Sequence, residues 1–227
     1  MQLSKRLEAL TRLVTKGMRV ADIGCDHAYV SIELCEKNIA SKVLAMDINK
    51  GPLMRATENI KAKGLADRIE TRLSNGAEKL EVGEVDALLI AGMGGALMRN
   101  ILSSRQDVVD SLQELYLQPQ SEIFLVREYV RTHGFVIQEE KMMIEDGKYY
   151  VMMKAVRGET KEASHLFDCF GQYLLERKDE TLKQFLEHEM QKKQSLLERL
   201  SDSHKERCKE LEEEVSLLKG GLAYYAN

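Results

Sequence analysis

Residues 18–28 read Met18-Arg19-Val20-Ala21-Asp22-Ile23-Gly24-Cys25-Asp26-His27-Ala28. The run to Ile23 predicts a strand, and the turn after it holds one glycine among acids. A dinucleotide-binding loop needs three glycines so that bare backbone N–H groups can close on a pyrophosphate. Here only Gly24 holds such a place. Asp26 stands at the second position and Ala28 follows, so a diphosphate would meet a carboxylate in place of an amide cradle. A cationic cofactor without phosphate fits better. S-adenosylmethionine carries a sulfonium, an ammonium and an adenosine whose ribose hydroxyls want an acidic acceptor. Asp47, at the end of the next apolar run, supplies one.

Outward from this turn, strands and helices alternate. Apolar runs at Lys42 to Ile48, Arg68 to Leu73, Val85 to Ala91 and Leu115 to Leu117 are separated by helix-like segments at Tyr29 to Lys37, Lys50 to Lys63, Ala96 to Ser103 and Glu122 to His133. The alternation predicts an α/β fold whose sheet is mostly parallel, with helices on both faces. Asp146-Gly147 is a hairpin turn signal between Phe135 to Ile144 and Lys148 to Val156, so the sheet should end antiparallel, with seven strands in all. Leu3, Leu7, Leu10, Leu13 and Val14 recur at helical spacing, which places an N-terminal helix over residues 2–16. After Gly158, Leu, Glu and Lys dominate. Leu182, Phe185, Leu186, Met190, Leu196, Leu197 and Leu200 form one stripe, and Leu211, Val215 and Leu218 a second, across a polar break at Ser201 to His204. A coiled-coil-like helical hairpin would bury both. The expected division is therefore residues 1–158 and 159–227.

Composition limits the function classes. Lys+Arg 33 against Asp+Glu 37 gives a net charge of -4, so no overall basic field points to nucleic acid. Residues 159–227 hold 11 of those basic and 15 of those acidic side chains, so any phosphate contact must come from a local patch. Cys25, Cys35, Cys169 and Cys208 show no zinc-type spacing, and the histidines no ligand spacing, which argues against a metal and for a reducing compartment. The N-terminus is too charged for a signal peptide, and no run suggests a membrane span. The cytoplasm is the expected location.

Taken together, Arg19 to Tyr29, Ala45-Met46-Asp47-Ile48-Asn49 and Ile90-Ala91-Gly92-Met93-Gly94-Gly95 resemble the bacterial tRNA (adenine-22-N1)-methyltransferase family. The likeness covers the whole chain. It implies a Rossmann-like S-adenosylmethionine-dependent domain with a C-terminal coiled-coil domain, acting on N1 of adenine 22 in tRNA. It places the amino-acid end of the cofactor at the first loop, with Asp22, Gly24, Asp26, His27 and Tyr29. Asp47 and Ile48 would meet the ribose, and Asn75-Gly76, after the third strand, the adenine ring. Gly92, Met93 and Gly94 stand where many amino-group methyltransferases carry an Asp/Asn-Pro-Pro-aromatic clamp; that clamp is absent here.

Transfer is expected by direct displacement, so positioning and a dry pocket carry most of the acceleration. Asp26 is the first candidate to accept from the exocyclic amine, with the Gly92 carbonyl second and Met93 an apolar contact. For Asp26 and His27 the structural alternative is an N-cap for the helix that begins near Ala28. Lys5, Arg6, Arg12, Lys192 and Lys193 are candidate phosphate contacts, and Tyr29 and Tyr149 candidate stacking surfaces, each open to a plain packing or solvated role. Gln118-Pro119-Gln120 closes the fifth strand near the pocket, or is simply a turn. Two other readings stay open: a small-molecule or protein methyltransferase, and a non-catalytic nucleotide-sensing interaction protein. A monomer is expected, with dimerisation through the helical region as the alternative.

Overall fold

The computed structural model describes residues 3–159, 164–200 and 205–226. In chain order these form α1 (Lys5–Thr11), β1 (Arg19–Ile23), α2 (Tyr29–Glu36), β2 (Lys42–Asp47), α3 (Lys50–Ala62), β3 (Ile69–Leu73) and β4 (Ala87–Met93). Then come α4 (Gly95–Ser104), α5 (Gln106–Ser111), β5 (Glu114–Pro119), α6 (Ile123–Thr132), β6 (Phe135–Glu145) and β7 (Lys148–Arg157). The C-terminal helices are α7 (His165–Phe170), α8 (Gln172–Glu176), α9 (Glu180–Arg199) and α10 (Lys205–Ala223).

One seven-stranded sheet runs in the order β3-β2-β1-β4-β5-β7-β6. The first five are parallel neighbours, and β7 pairs antiparallel with both β5 and β6. Because side chains alternate across a strand, each central strand feeds two cores. Ala21, Ile23, Leu44, Met46, Leu88, Ile90, Leu115 and Leu117 join Met98, Leu102, Val126 and Val130 of α4 and α6. Val20, Val43, Ala45, Ala87, Leu89 and Tyr116 join Leu10, Ile32, Leu34, Ala56 and Ile60 of α1, α2 and α3. The chain reverses its direction of travel across the sheet at β1, and α/β sheets open a crevice at that place, beyond the carboxyl ends of the strands.

α1 is shorter than the expected 2–16. The Ser4 side chain accepts from Leu7 N at 3.5 Å to start it, and after Thr11 the chain tightens into turns, with Leu13 N bonded to Leu10 O and Val14 N to Thr11 O. Those turns point Leu13 and Val14 into the core. Thr15 then anchors the segment to the sheet. Its N–H donates to Tyr116 Oη at 2.8 Å, its hydroxyl reaches Glu114 at 2.8 Å, and Lys154 donates to that hydroxyl at 2.6 Å. β5 is also longer than expected, since Glu114 and Gln118 hide a strand that is buried along its whole length.

α9 and α10 run antiparallel: Lys193 pairs with Glu214, and Tyr225 Oη donates to Asp179 O at 2.9 Å. Leu182, Leu186, Met190, Val215 and Leu218 share a core with Phe170, Leu174 and Leu175. Leu196 is exposed and leaves the expected stripe. The polar break at Ser201 to His204 lies outside the described residues. Two arginines of α6 fasten these helices to the sheet. Arg127 chelates Oε1 of buried Glu140 at 2.8 Å and donates to the carbonyls of Asp168 and Cys169, while Arg131 pairs with the Asp168 carboxylate at 2.8 Å.

Candidate active site

A cavity of about 470 Å³ opens at the carboxyl ends of β1, β2 and β4. Its floor is the turn after β1. Gly24 N and Cys25 N both donate to Met46 O, at 2.8 and 2.9 Å. The next N–H, of Asp26, donates to Asp47 Oδ2 at 3.1 Å, and Asp47 Oδ1 accepts from Asn49 N at 2.8 Å. Gly24 sits at φ +75°, and a Cβ there would overlap the Met93 methyl. The left-handed backbone is what favours glycine here, since the Met93 methyl ends a flexible side chain that can shift.

This geometry tests the cofactor. The three successive amides of Gly24, Cys25 and Asp26 are all engaged within the chain, so none of them is left to hold a phosphate. What faces the cavity is acidic. Asp22 accepts from Ser31 Oγ at 2.6 Å and is buried, which pushes its carboxyl up to about 6. Asp47 is buried at the strand end with each oxygen holding one amide, leaving lone pairs for a ribose diol. A sulfonium nucleoside fits this donor and acceptor set, and a diphosphate does not.

The opposite wall comes from β4 and β5. Their register shifts between Ala91 and Met93, leaving Gly92 as an extra residue, and its N–H donates to Gln118 Oε1 at 3.1 Å. The same oxygen accepts from Arg6 Nη1 at 2.7 Å, and the Arg6 guanidinium lies over the Tyr150 ring, 5.1 Å from its centre. Arg6 thus belongs to the cavity wall.

Of the residues expected at the cofactor, Asp22, Gly24, Asp26, Tyr29, Asp47, Ile48, Asn75, Gly76, Gly92 and Met93 line the cavity. Two do not. His27 turns its ring onto Tyr29, with centres 5.5 Å apart, while its carbonyl is held by Asn59 of α3 at 3.0 Å. Gly94 is the N-cap of α4, beside Ser121. Neither Asp26 nor His27 caps α2, whose N-cap is Ala28 in the left-handed region with no side-chain bond. The Asp26 carboxylate is 65% exposed and lies 3.5 Å from His27 Nε2.

The RNA candidates scatter. Arg12 pairs with Glu8, Lys192 with Glu189 and Lys193 with Glu214, so these cations already have partners. Lys5 donates its backbone N–H to Glu145 at 2.6 Å. Tyr149 is half-buried and has Phe185 in a T-shaped arrangement against it at 5.2 Å. Burial, and then Asp22 and Asp47, push the Cys25 thiol up, so it stays protonated and serves packing.

Sequence reading missed Ser74, Leu97 and Ile101 in the cavity wall. Leu97 and Ile101 carried a signal, being one helical turn apart directly after the glycine turn. Among the described residues no group of His, Cys, Asp and Glu could hold a metal, and no helix is long and apolar enough to cross a membrane.

Residues 3–153 match the methyltransferase domain family. The chain is 32% identical to the tRNA (adenine(22)-N(1))-methyltransferase of Bacillus subtilis, over 96% of both chains. It belongs to this methyltransferase family. Solved structures agree. The Streptococcus pneumoniae protein Sp1610, in complex with S-adenosyl-L-methionine, superposes with a TM-score of 0.88 at 31% identity, covering 97% of this chain and 100% of that one. M. capricolum TrmK, in complex with the cofactor product S-adenosyl-homocysteine, has a TM-score of 0.88 at 25% identity, covering 99% of each chain. The cavity floored by the acid-bearing turn lies within the matched methyltransferase domain.

Proposed function

We propose that the protein transfers the methyl group of S-adenosylmethionine to N1 of an adenine in tRNA, at position 22 as in its relatives. The observation that carries the cofactor half is the turn at Gly24 to Asp26, with every amide engaged and two buried carboxylates facing the cavity. The bound donor supplies an electrophilic methyl on a positively charged sulfur. Asp47 orients the ribose, Asp22 favours the cationic end, and Gly24 admits close approach of the backbone. The N1 lone pair forms the new C–N bond as the C–S bond breaks, and the bonding pair stays on sulfur. N1 carries no proton, so no base has to remove one. The chain's task is alignment and exclusion of water, effects that reach ~7–11 kcal/mol in favourable systems.

Residues 1–158 form the catalytic unit and residues 159–227 a helical unit that assists tRNA docking. Arg12, Lys192 and Lys193 are ion-paired, and Arg6 in the cavity wall is itself held by Gln118 and Glu145, so docking relies on the mouth of the cavity as a whole and not on any one of these cations. Nucleoside mass analysis of tRNA incubated with enzyme and methyl donor tests the reading. It should find 1-methyladenosine; a label found only in protein or small molecules would replace RNA as the substrate.

A further inference from the structure

Resting on the adenine-methylating reading above, we propose that Gln120 is the residue that selects adenine, gripping the N6/N7 edge of the base and leaving N1 open to attack. The two glutamines of Gln118-Pro119-Gln120 have different surroundings. Gln118 is fully buried and engaged at both ends, its Oε1 holding Gly92 and Arg6 and its Nε2 donating to Pro119 O at 3.2 Å. Gln120 follows the end of β5. Its backbone N–H donates to Met93 O at 2.8 Å, which fixes it beside the end of β4. Its side chain is exposed and makes no hydrogen bond among the described residues. A Cβ placed on Gly92 would stand 3.8 Å from Gln120 Nε2, so this free amide lies next to Gly92, which lines the cavity.

The sheet order decides where the base sits. Asp47 holds the ribose at the end of β2 and Gly24 lies at the end of β1, so the sulfonium falls toward β4 and the acceptor enters from the side of β4 and β5. Gly92, Met93 and exposed Leu97 face that entrance.

Chemistry then dictates which edge of the base can be held. N1 must direct its lone pair at the methyl, so no donor can occupy it. The N6 amine and N7 remain, a donor beside an acceptor. A glutamine amide complements both, Oε1 accepting from N6–H while Nε2 donates to N7, the bidentate pairing by which Gln reads adenine. Guanine presents two acceptors along the same edge and forfeits one of the bonds. Oε1 on the N6 amine also stabilises the positive charge that methylation spreads over N1 and N6.

The test compares wild type, Gln120→Ala and Gln120→Glu on one tRNA, carrying either adenosine or 7-deazaadenosine at the target position, with cofactor affinity followed by calorimetry. Gln120→Ala is expected to lower kcat/KM about 10- to 100-fold with cofactor binding unchanged. The 7-deaza substitution should cost the wild type a similar factor and the alanine variant almost nothing. Gln120→Glu keeps the acceptor for N6 but sets a carboxylate against the N7 lone pair, so it should prefer the 7-deaza tRNA. Wild-type activity in Gln120→Ala, or penalties that multiply when variant and deaza base are combined, would overturn the assignment. Absence of methylation by the wild type on the unmodified tRNA would instead remove the underlying reading of the reaction.

Discussion

Asp47 holds two backbone amides at once, those of Asp26 and Asn49, and so fixes both the turn after β1 and the start of α3. Asp47→Ala is expected to weaken cofactor binding at least about 10-fold and to destabilise the fold by roughly 1–3 kcal/mol, since it leaves two amide donors short of a partner. Calorimetry and urea unfolding measure the two effects, and unchanged affinity would remove Asp47 from the ribose. Asp22 gives a pH dependence. Burial raises its carboxyl to about 6, against the Ser31 hydrogen bond that opposes the rise. A raised acid binds its proton more tightly in the native state, so its contribution to stability is fully present below about pH 4 and is lost as pH rises through about 6. The decline is on the order of 2–3 kcal/mol. A cationic ligand favours the ionised form, so cofactor affinity should rise with pH through about 6, level off above it, and be accompanied by proton release. Asp22→Asn should flatten that profile; an unchanged profile in the variant would assign the dependence to another group.

At the scale of elements, α1 matters because it delivers Arg6 to the cavity while Thr15 is tied to Tyr116, Glu114 and Lys154. Tyr116→Phe removes the hydroxyl that accepts from Thr15 N and donates to Glu114. It should cost about 1–3 kcal/mol, seen as a lower urea midpoint with the slope unchanged. An unmoved midpoint would mean that the network does not hold α1. This network was invisible in the sequence, as was the length of β5, because Glu114 and Gln118 look like surface residues until their partners are known. The strands and helices around them were legible because apolar runs and turn residues are local signals. The first turn was legible for the same reason: Asp22, Gly24 and Asp47 act through backbone geometry near their own strands. His27 and Gly94 lie outside the cavity lining, the first with its carbonyl held by Asn59 and the second beside Ser121, and both neighbours are distant in sequence. The strand order, and with it the meeting of Arg6 and Gln118 across 112 positions, is a tertiary fact that periodicity does not carry.

For the whole molecule, the charge balance bears on how RNA is held. With a net charge of -4, and with Lys192 and Lys193 of α9 already paired, a broad basic surface is not the expected source of affinity for tRNA. Lys193→Ala is expected to change KM for tRNA less than about threefold, because an ion-paired lysine releases few counterions on contact. Steady-state kinetics at two salt concentrations checks this, and a tenfold loss with a shallower salt dependence would restore Lys193 as a phosphate contact. The junction made by Arg127, Arg131, Glu140 and Asp168 sets the helices against the sheet, so the orientation of the helical unit is built in before RNA arrives.

The central claim is that the turn at Gly24 to Asp26 takes a sulfonium nucleoside and rejects a diphosphate one. Calorimetric titration of the wild-type protein with S-adenosylmethionine, its demethylated product and NADH measures that choice directly. The account predicts one site for each of the first two and no heat from NADH; saturable NADH uptake with no response to the methyl donor would contradict it.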